Sequence, residues 1–209
     1  MKHTIPQRLI EHAFVFDVLA DYGPEKVLDV GTGTRSTLPA TLLEAQVEVV
    51  AIDEMVSYWG HAVENRYSPI IPADILSPNK CIKNSAPFDA VTCICTLEHI
   101  IGHDRAVKNM VDLLKVGGVL ILTFPYASEY ELDIYNKLGR PKQYPVQLFS
   151  GVEVAIWCNQ NPVELKRIEF SKHFEGETWG VGGRLLKPRR HRTESESDFC
   201  CLALEKEAS

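Results

Sequence analysis

The 209-residue sequence has no long apolar run, no excess of positive charge and no Cys-x-x-Cys pair. A membrane-spanning helix needs about 20 consecutive apolar residues, and no segment approaches that length. The N-terminal segment also lacks the apolar run of a secretory signal. We therefore expect a protein that stays in the cytoplasm and has no membrane partner.

The charge balance also argues against nucleic acid as a partner. The formal net charge is -6 and the sequence pI is about 5.7, so the chain as a whole does not attract phosphate backbones. One local basic segment, residues 187–192, is followed at once by acidic residues. The six cysteines are scattered, which predicts reduced thiols buried as small hydrophobes and no zinc site.

The length and the 45% apolar content suit one core, so we expect a single domain over residues 1–209. Apolar runs that predict strands alternate with helical patterns every 20 to 30 residues, which is the rhythm of βαβ units. The predicted strands are residues 26–30, 47–52, 67–71, 88–96, 119–124, 163–170 and 199–204. The predicted helices are residues 4–22, 37–45, 56–65, 104–114 and 151–159.

These elements predict an α/β fold: a doubly wound, mostly parallel seven-stranded sheet with helices on both faces and an antiparallel final strand. Residues 126–150 interrupt the rhythm and are rich in Tyr, Pro and charge. We interpret them as an insertion with one short helix around residues 129–138, which caps a substrate site. Residues 171–198 are interpreted as a Gly- and Arg-rich loop.

Polar residues follow several predicted strands at the carboxyl edge of the sheet, where open parallel sheets bind ligands. Gly31 and Gly33 follow the first strand and let backbone approach a ligand closely. Asp53 lies about 20 residues further on, a spacing at which a carboxylate can accept hydrogen bonds from ribose hydroxyls. The pattern indicates a nucleoside site. The dinucleotide fingerprint, however, requires a third glycine where this sequence has Ser36.

Five segments in this order resemble the motifs of class I S-adenosylmethionine (SAM)-dependent methyltransferases. They are VLDVGTGT, VVAIDEM, PADIL, FDAVTCICTLEHI and LLKVGGVLILTFP. The resemblance spans residues 27–125 and is closest to small-molecule enzymes such as those of ubiquinone biosynthesis. It implies that SAM is the cofactor, that S-adenosylhomocysteine (SAH) is the product, and that a small molecule accepts the methyl group.

The resemblance assigns roles to residues at the strand ends. Gly31 and Gly33 would pack against the methionine and ribose portions of SAM, and Asp53 would bind the ribose hydroxyls. The remaining predicted cofactor residues are Asp29, Thr32, Glu54, Asp74 and Ile75 (the last two at the adenine), and Ile94 and Cys95 (on the pocket floor). Asp29 could instead act on the amides of its own loop. The sequence departs from the family at Arg35, where a third Gly is usual; this side chain either pairs with the methionine carboxylate or lies at the surface.

His99 is the candidate catalytic residue, because it directly follows the fourth strand and its ordinary pKa suits proton transfer. A general base is needed if the acceptor is a hydroxyl and much less if it is a neutral amine. The alternative for His99 is a structural role in which it hydrogen-bonds backbone and holds the turn. Glu98, His99 and His103 could suggest a metal site, but Gly102 interrupts the spacing and we expect no metal.

Aromatic and basic side chains in the insertion and the later loop suit a small acceptor, including an anionic one. They are Tyr126, Tyr130, Tyr135, Arg140, Tyr144, Trp179 and Arg184, with the basic segment 187–192. The sequence thus predicts methyl transfer to a hydroxyl or an amine. An NAD-type oxidoreductase and a noncatalytic partner protein with the same fold remain as alternatives.

Overall fold

The computed structural model describes residues 5–33, 36–55, 69–137, 139, 144–174, 185–191 and 197–208. Within these residues eight strands form one sheet: β1 (Lys26–Val30), β2 (Glu48–Asp53), β3 (Ile70–Pro72), β4 (Phe88–Ile94), β5 (Leu114–Pro125), β6 (Val163–Phe174), β7 (Leu185–His191) and β8 (Phe199–Lys206). The helices are α1 (Ile5–Tyr22), α2 (Leu38–Glu44), α3 (Lys80–Ser85), α4 (His103–Leu113), α5 (Ile134–Lys137) and α6 (Gly151–Gln160), with a 3₁₀ turn at Leu97–His99.

The strand order is β3-β2-β1-β4-β5-β8-β6-β7, and the first five of these strands are parallel. Strand β8 runs antiparallel between β5 and β6. The chain moves outward from β1 to β3 and then returns to the other side of β1 with β4. The connections therefore diverge at the carboxyl ends of β1 and β4, which is where open α/β sheets bind ligands.

Helices cover both faces of the sheet, and each face has its own core. On one face, α1 and α2 pack Phe14 and Leu38 against the strands. On the other face, α3, α4 and α6 contribute Ile82, Met110 and Trp157, all of which are fully buried. The predicted doubly wound, mostly parallel fold with an antiparallel final strand is confirmed.

The sheet has one strand more than the seven predicted. Strand β7 lies in the segment that the sequence pattern indicated as a loop, and it pairs antiparallel with β6, with Phe170 opposite His191. Its sequence, LLKPRRH, has no apolar alternation. An edge strand tolerates such a sequence, because charged residues and proline are favoured where one side of a strand is unpaired.

The junction between α4 and β5 also differs from the prediction. The predicted strand begins at residue 119, but β5 begins at Leu114, directly after α4, so Gly117 and Gly118 lie inside the strand. A Cβ on Gly118 would lie 2.9 Å from the carbonyl oxygen of Asp89. The register with β4 shifts at this point, so the glycine permits close approach of two strands.

One predicted helix is not covered by the described residues, and one observed helix was not predicted. The predicted helix 56–65 lies outside the described residues. Helix α3 was not predicted, although Asn79 caps it by accepting a hydrogen bond from the Ile82 amide at 3.1 Å. The prediction was right for α6, where Ser150 and Glu153 form a capping box.

The described parts of the predicted insertion pack on the end of the sheet. The Phe149 amide donates to the Pro125 carbonyl at 3.1 Å, and Glu131 bridges to Leu148. Ile134, Val146 and Leu148 form a small separate core there. The helix within this segment is shorter than predicted and covers only Ile134–Lys137.

The cysteines are only partly in the predicted environment. Cys93, Cys200 and Cys201 are buried, whereas Cys95 and Cys158 are half-buried and Cys81 is exposed. No helix in the described ranges has the length and apolarity to span a bilayer.

Candidate active site

The loop after β1 is shaped by two glycines with positive φ. Gly31 has a φ of 72° and Gly33 a φ of 61°, a region that other L-residues adopt only with strain. A Cβ on Gly31 would lie 2.0 Å from Cγ2 of Thr96, so the loop admits no side chain there. A Cβ on Gly33 would meet no atom within 4 Å. The backbone at Gly33 therefore borders open space, as close approach to a ligand requires.

Asp29 supports this loop from below. It is 2% exposed, and its carboxylate oxygens accept hydrogen bonds from the hydroxyls of Thr32 at 2.8 Å and Thr92 at 2.7 Å. Burial raises the pKa of Asp29, while the two threonine hydrogen bonds oppose that rise. Both of these donors are hydroxyl groups, whereas the sequence analysis considered the amides of the loop as partners of Asp29. Asp29 and Thr32 thus connect β1 and its loop to β4.

Asp53 joins the first two loops. Its Oδ2 accepts a hydrogen bond from the Gly33 amide at 2.9 Å, and its Oδ1 accepts one from the Met55 amide at 2.7 Å. A carboxylate oxygen has a second lone pair, so both oxygens retain capacity for ribose hydroxyls. Asp53 is 7% exposed, whereas Glu54 next to it is exposed. The spacing of 20 residues that suggested a nucleoside site thus corresponds to direct contact between the two loops.

The loop after β3 is held in a tight turn. Asp74 Oδ1 accepts a hydrogen bond from the Leu76 amide at 2.7 Å. The side-chain amide of Asn109 donates to the carbonyls of Ile75 at 2.8 Å and Leu76 at 3.2 Å. Ile75 is 4% exposed and belongs to the core. Asn109, on α4, was not identified from the sequence because only the tertiary structure brings it to this turn.

Ile94 and Cys95, which were predicted to line the pocket floor, lie at the end of β4. Ile94 is 7% exposed, and Cys95 has a φ of 47°. The Cys95 amide donates to the carbonyl and the hydroxyl of Thr123 at 3.0 and 3.1 Å. The next residue, Thr96, donates its hydroxyl to the Gly31 carbonyl at 3.1 Å. The loops after β1 and β4 are therefore fastened to each other at the switch point.

Two buried carboxyl groups lie next to Cys95: Glu11, which the sequence analysis did not identify, and Glu98, which it considered only for a metal site. Glu11 of α1 accepts hydrogen bonds from the Cys95 thiol at 2.8 Å and the Thr123 hydroxyl at 3.0 Å. Its Oε2 lies 3.3 Å from a guanidinium nitrogen of Arg8. A signal was present: Glu11 occupies the stripe of α1 that continues with buried Val15 and Val18, where a charge is unexpected.

Glu98 is the second of these carboxyl groups. It is 1% exposed, and its Oε2 has no hydrogen-bond partner among the described residues. Burial, together with the nearby Glu11 carboxylate, raises the pKa of Glu98 to about 8. The Glu98 carboxyl therefore holds a proton at neutral pH.

His99 lies at the end of the 3₁₀ turn after β4. Its Nδ1 is 2.9 Å from the carbonyl oxygen of Pro145, so Nδ1 donates and the lone pair resides on Nε2 in the neutral ring. Nε2 is 3.9 Å from Glu98 Oε1. The imidazole also makes an edge-to-face contact with the ring of Tyr144, with the two ring centroids 4.5 Å apart. The backbone hydrogen bond foreseen in the structural alternative is thus present, and the same bond fixes the tautomer that a general base requires.

His103 does not share a helical face with His99. The 3₁₀ turn ends at His99, Gly102 has a φ of 91°, and α4 begins only at His103. The nearest carboxylate to His103 is Asp104, at 3.1 Å. In the part of the chain that the structure describes, no group of three or more His, Cys, Asp or Glu residues is arranged to hold a metal ion.

The aromatic residues of the insertion have different environments. Tyr126 is 3% exposed and packs against Phe170, so it belongs to the core and not to a substrate surface. Tyr130 is partly exposed and donates its hydroxyl to Gln147 Oε1 at 2.6 Å. Tyr144 faces His99. Arg35, Arg140, Trp179 and Arg184 lie outside the described residues.

A family model for the methyltransferase domain matches residues 4–179. The chain belongs to this family. It is a SAM-dependent methyltransferase, and not the NAD-type oxidoreductase considered as an alternative. The residues that match include every strand-end segment described above.

Two curated relatives are both named ubiquinone biosynthesis O-methyltransferase. The protein of Glaesserella parasuis serovar 5 is 26% identical over 172 residues, which cover 75% of this chain and 72% of the relative. The protein of Haemophilus ducreyi is 28% identical over 167 residues, which cover 69% of this chain and 67% of the relative.

Solved structures share the fold at lower identity. Magnesium protoporphyrin IX methyltransferase from Synechocystis, solved with SAH, has a TM-score of 0.62 at 15% identity, covering 98% of this chain and 85% of that one. The N-methyltransferase NodS from Bradyrhizobium japonicum, also with SAH, has a TM-score of 0.60 at 15% identity, covering 97% and 88%.

Proposed function

We propose that this enzyme transfers the methyl group of SAM to a hydroxyl group of a small molecule, with His99 as the general base. The observation that carries the proposal is the position of His99. It ends the 3₁₀ turn that comes after β4, and its Nδ1 donates to the Pro145 carbonyl, so the lone pair of the neutral ring is on Nε2. A base in this protonation state is what a hydroxyl acceptor needs and a neutral amine does not.

The cofactor site fits SAM because the open space at Gly33 borders a carboxylate that is held in place by backbone amides. SAM supplies a methyl group activated by its sulfonium. The residues that would hold it are Gly31, Thr32, Gly33, Asp53, Glu54, Asp74, Ile75, Ile94 and Cys95, with Asp29 supporting the first loop. Gly31 and Gly33 would approach it with their backbone, Asp53 would accept hydrogen bonds from the ribose hydroxyls, and Asp74 and Ile75 would meet the adenine.

His99 performs the proton transfer that the acceptor requires. A hydroxyl becomes a stronger nucleophile as its proton moves to Nε2, and the Pro145 carbonyl then stabilises the positive ring through Nδ1. Glu98 lies 3.9 Å from Nε2 with its proton retained at neutral pH. A matched base of this kind contributes roughly 10²- to 10⁴-fold to the rate of the chemical step.

Two observations favour an aromatic hydroxyl as the acceptor. Tyr144 presents a ring beside His99, and aromatic rings prefer edge-to-face or offset contact with one another. Both curated relatives are also named as O-methyltransferases of ubiquinone biosynthesis. A small phenolic compound is therefore the acceptor class that we propose, within a cytoplasmic single-domain enzyme.

The first test is cofactor binding. Calorimetry with SAM, SAH and NAD should show binding of the first two and none of NAD. Thermal stabilisation of the protein by SAH should accompany it. Binding of NAD in place of SAM and SAH would contradict the assignment of the site.

The second test is turnover with a matched pair of acceptors, 3,4-dihydroxybenzoate and 3,4-diaminobenzoate, and labelled SAM. We expect methylation of the catechol and little of the diamine. His99→Ala should lower turnover of the catechol about 10²-fold or more while SAM affinity is retained. Preference for the diamine would contradict a hydroxyl acceptor. Near-normal turnover of the catechol by His99→Ala would exclude His99 as the base.

A further inference from the structure

Gln147 holds the turn that carries His99. Its side chain is 1% exposed, and its amide group donates to the carbonyl of Glu98 at 3.3 Å and to that of Ile100 at 2.9 Å. These are the residues on either side of His99. The Gln147 backbone amide also donates to the Glu98 carbonyl, at 2.9 Å. One glutamine thus binds both flanks of the candidate base.

The orientation of Gln147 is itself fixed. Its Oε1 accepts the Tyr130 hydroxyl at 2.6 Å, which determines which end of the amide group faces the two carbonyls. Both N–H donors and an acceptor lone pair of this buried group are therefore paired. Removing the side chain would leave two carbonyls and a hydroxyl without these partners, which is costly in a buried site.

Gln147 is also close in sequence to Pro145, whose carbonyl sets the tautomer of His99. Pro145, two residues earlier, accepts the hydrogen bond from His99 Nδ1 at 2.9 Å. Tyr144, which precedes it, places its ring against the imidazole. The hydrogen bonds of Gln147 to the turn therefore help to hold Tyr144 and Pro145 in contact with His99.

We propose that Gln147 is a positioning residue for His99: it attaches residues 144–147 to the turn, keeps the Pro145 carbonyl on Nδ1 and so keeps the lone pair on Nε2. The effect of this on the methylation rate rests on the function proposed above. The effect on the tautomer does not, because it can be measured in the enzyme without any acceptor.

A purely structural Gln147 and a positioning Gln147 differ in one observable. In both cases Gln147→Leu lowers stability, because the Ile100 carbonyl and the Tyr130 hydroxyl lose the hydrogen bonds that they make to the glutamine side chain. Only a positioning residue also changes the tautomer of His99, since a neutral histidine in water favours the proton on Nε2. Loss of the Pro145 contact should therefore move the proton from Nδ1 towards Nε2.

The experiment is two-bond ¹H–¹⁵N correlation spectroscopy of the full chain labelled at histidine, at a pH where the rings are neutral. The His99 signals are assigned by their loss in His99→Ala. We expect the Nδ1–H form in the unmodified enzyme and a shift towards the Nε2–H form in Gln147→Leu. Asn161→Ala is the matched control, because its amide also donates to a backbone carbonyl, that of Trp157, but far from the turn.

Tyr130→Phe keeps the test decisive if Gln147→Leu does not fold. This change removes the hydrogen bond that orients Gln147 and leaves the glutamine in place, so the tautomer should shift in the same direction by a smaller amount. An Nδ1–H tautomer that persists in a folded Gln147→Leu, or in Tyr130→Phe when Gln147→Leu does not fold, would overturn the proposal.

Calorimetry with SAH separates this proposal from the proposed function. Gln147→Leu should bind SAH within about twofold of the unmodified enzyme, because its contacts lie on the His99 side. Asn109→Leu should weaken SAH binding and leave the tautomer unchanged, because Asn109 bridges the carbonyls of Ile75 and Leu76 instead. An unmodified enzyme that binds no SAH would refute the proposed function, whereas the tautomer result would still stand.

Discussion

Thr96 occupies the space that a side chain at Gly31 would need. Its Cγ2 lies 2.0 Å from the position of a Cβ on Gly31, and its hydroxyl donates to the Gly31 carbonyl at 3.1 Å. The Thr96 side chain thus lies directly against the Gly31 backbone, and the conformation of the loop after β1 depends on a residue 65 positions away.

Gly31→Ala should destabilise the protein by about 2 kcal/mol or more. The positive φ of 72° strains any other residue, and the added methyl overlaps Thr96. Urea denaturation measures the loss. Thr96→Gly in the same chain removes the clashing atoms and should recover part of the difference; a double variant no more stable than Gly31→Ala would contradict the steric explanation.

Gly33→Ala should weaken SAH binding more than it affects stability. Its Cβ meets no protein atom within 4 Å, so the strain of the positive φ is the only folding cost, roughly 1 kcal/mol. Gly23→Ala is the matched control, with a φ of 53° and equally open surroundings at the end of α1. We expect similar melting temperatures for the two variants and, by calorimetry, loss of SAH affinity in Gly33→Ala alone.

Asp53→Ala should lower SAM and SAH affinity about 10- to 100-fold, because hydrogen bonds to a charged group are worth about 1.5–3 kcal/mol. The same change releases the Gly33 and Met55 amides, so some stability is lost too. Glu44→Ala, an exposed carboxylate on α2, serves as the control. Equal affinities for the two variants, measured by calorimetry, would remove Asp53 from the site.

Ionisation of the buried Glu98 carboxyl should lower the free energy of unfolding of the protein as the pH rises. Its pKa is about 8 in the folded state against an ordinary 4.5, so the unfolded chain releases this proton at lower pH than the folded protein does. The contribution of the protonated group is complete below about pH 4.5 and is lost progressively as the pH rises through 8. Each unit of pKa shift is worth about 1.4 kcal/mol, so the effect reaches several kcal/mol.

Urea denaturation between pH 5 and pH 8.5 checks this. Glu98→Gln cannot ionise, so its free energy of unfolding should fall less with pH than that of the unmodified enzyme, and the two curves should diverge towards pH 8.5. Glu44→Gln should follow the unmodified curve. Parallel curves for Glu98→Gln and the unmodified enzyme would show that Glu98 is ionised in the folded protein.

The fold, and the sheet edge at which Gly31, Gly33 and Asp53 meet, could be predicted from the sequence. Parallel strands place their carboxyl ends at one edge, so Gly31, Gly33 and Asp53 had to come together once their strands were identified. Contact between the Gly33 amide and Asp53 follows from that geometry. The sequence could not identify β7, because an edge strand needs no apolar alternation.

The surroundings of His99 could not be predicted, because they depend on contacts between residues that are distant in the sequence. Gln147 lies 49 residues from Glu98, and Glu11 lies 84 residues from Cys95, so no local pattern links either pair. Hydrophobic periodicity reports which face of an element is buried, but not which polar group it meets there. The tautomer of His99 and the proton on Glu98 depend on such partners and on burial, and these exist only when the chain is folded.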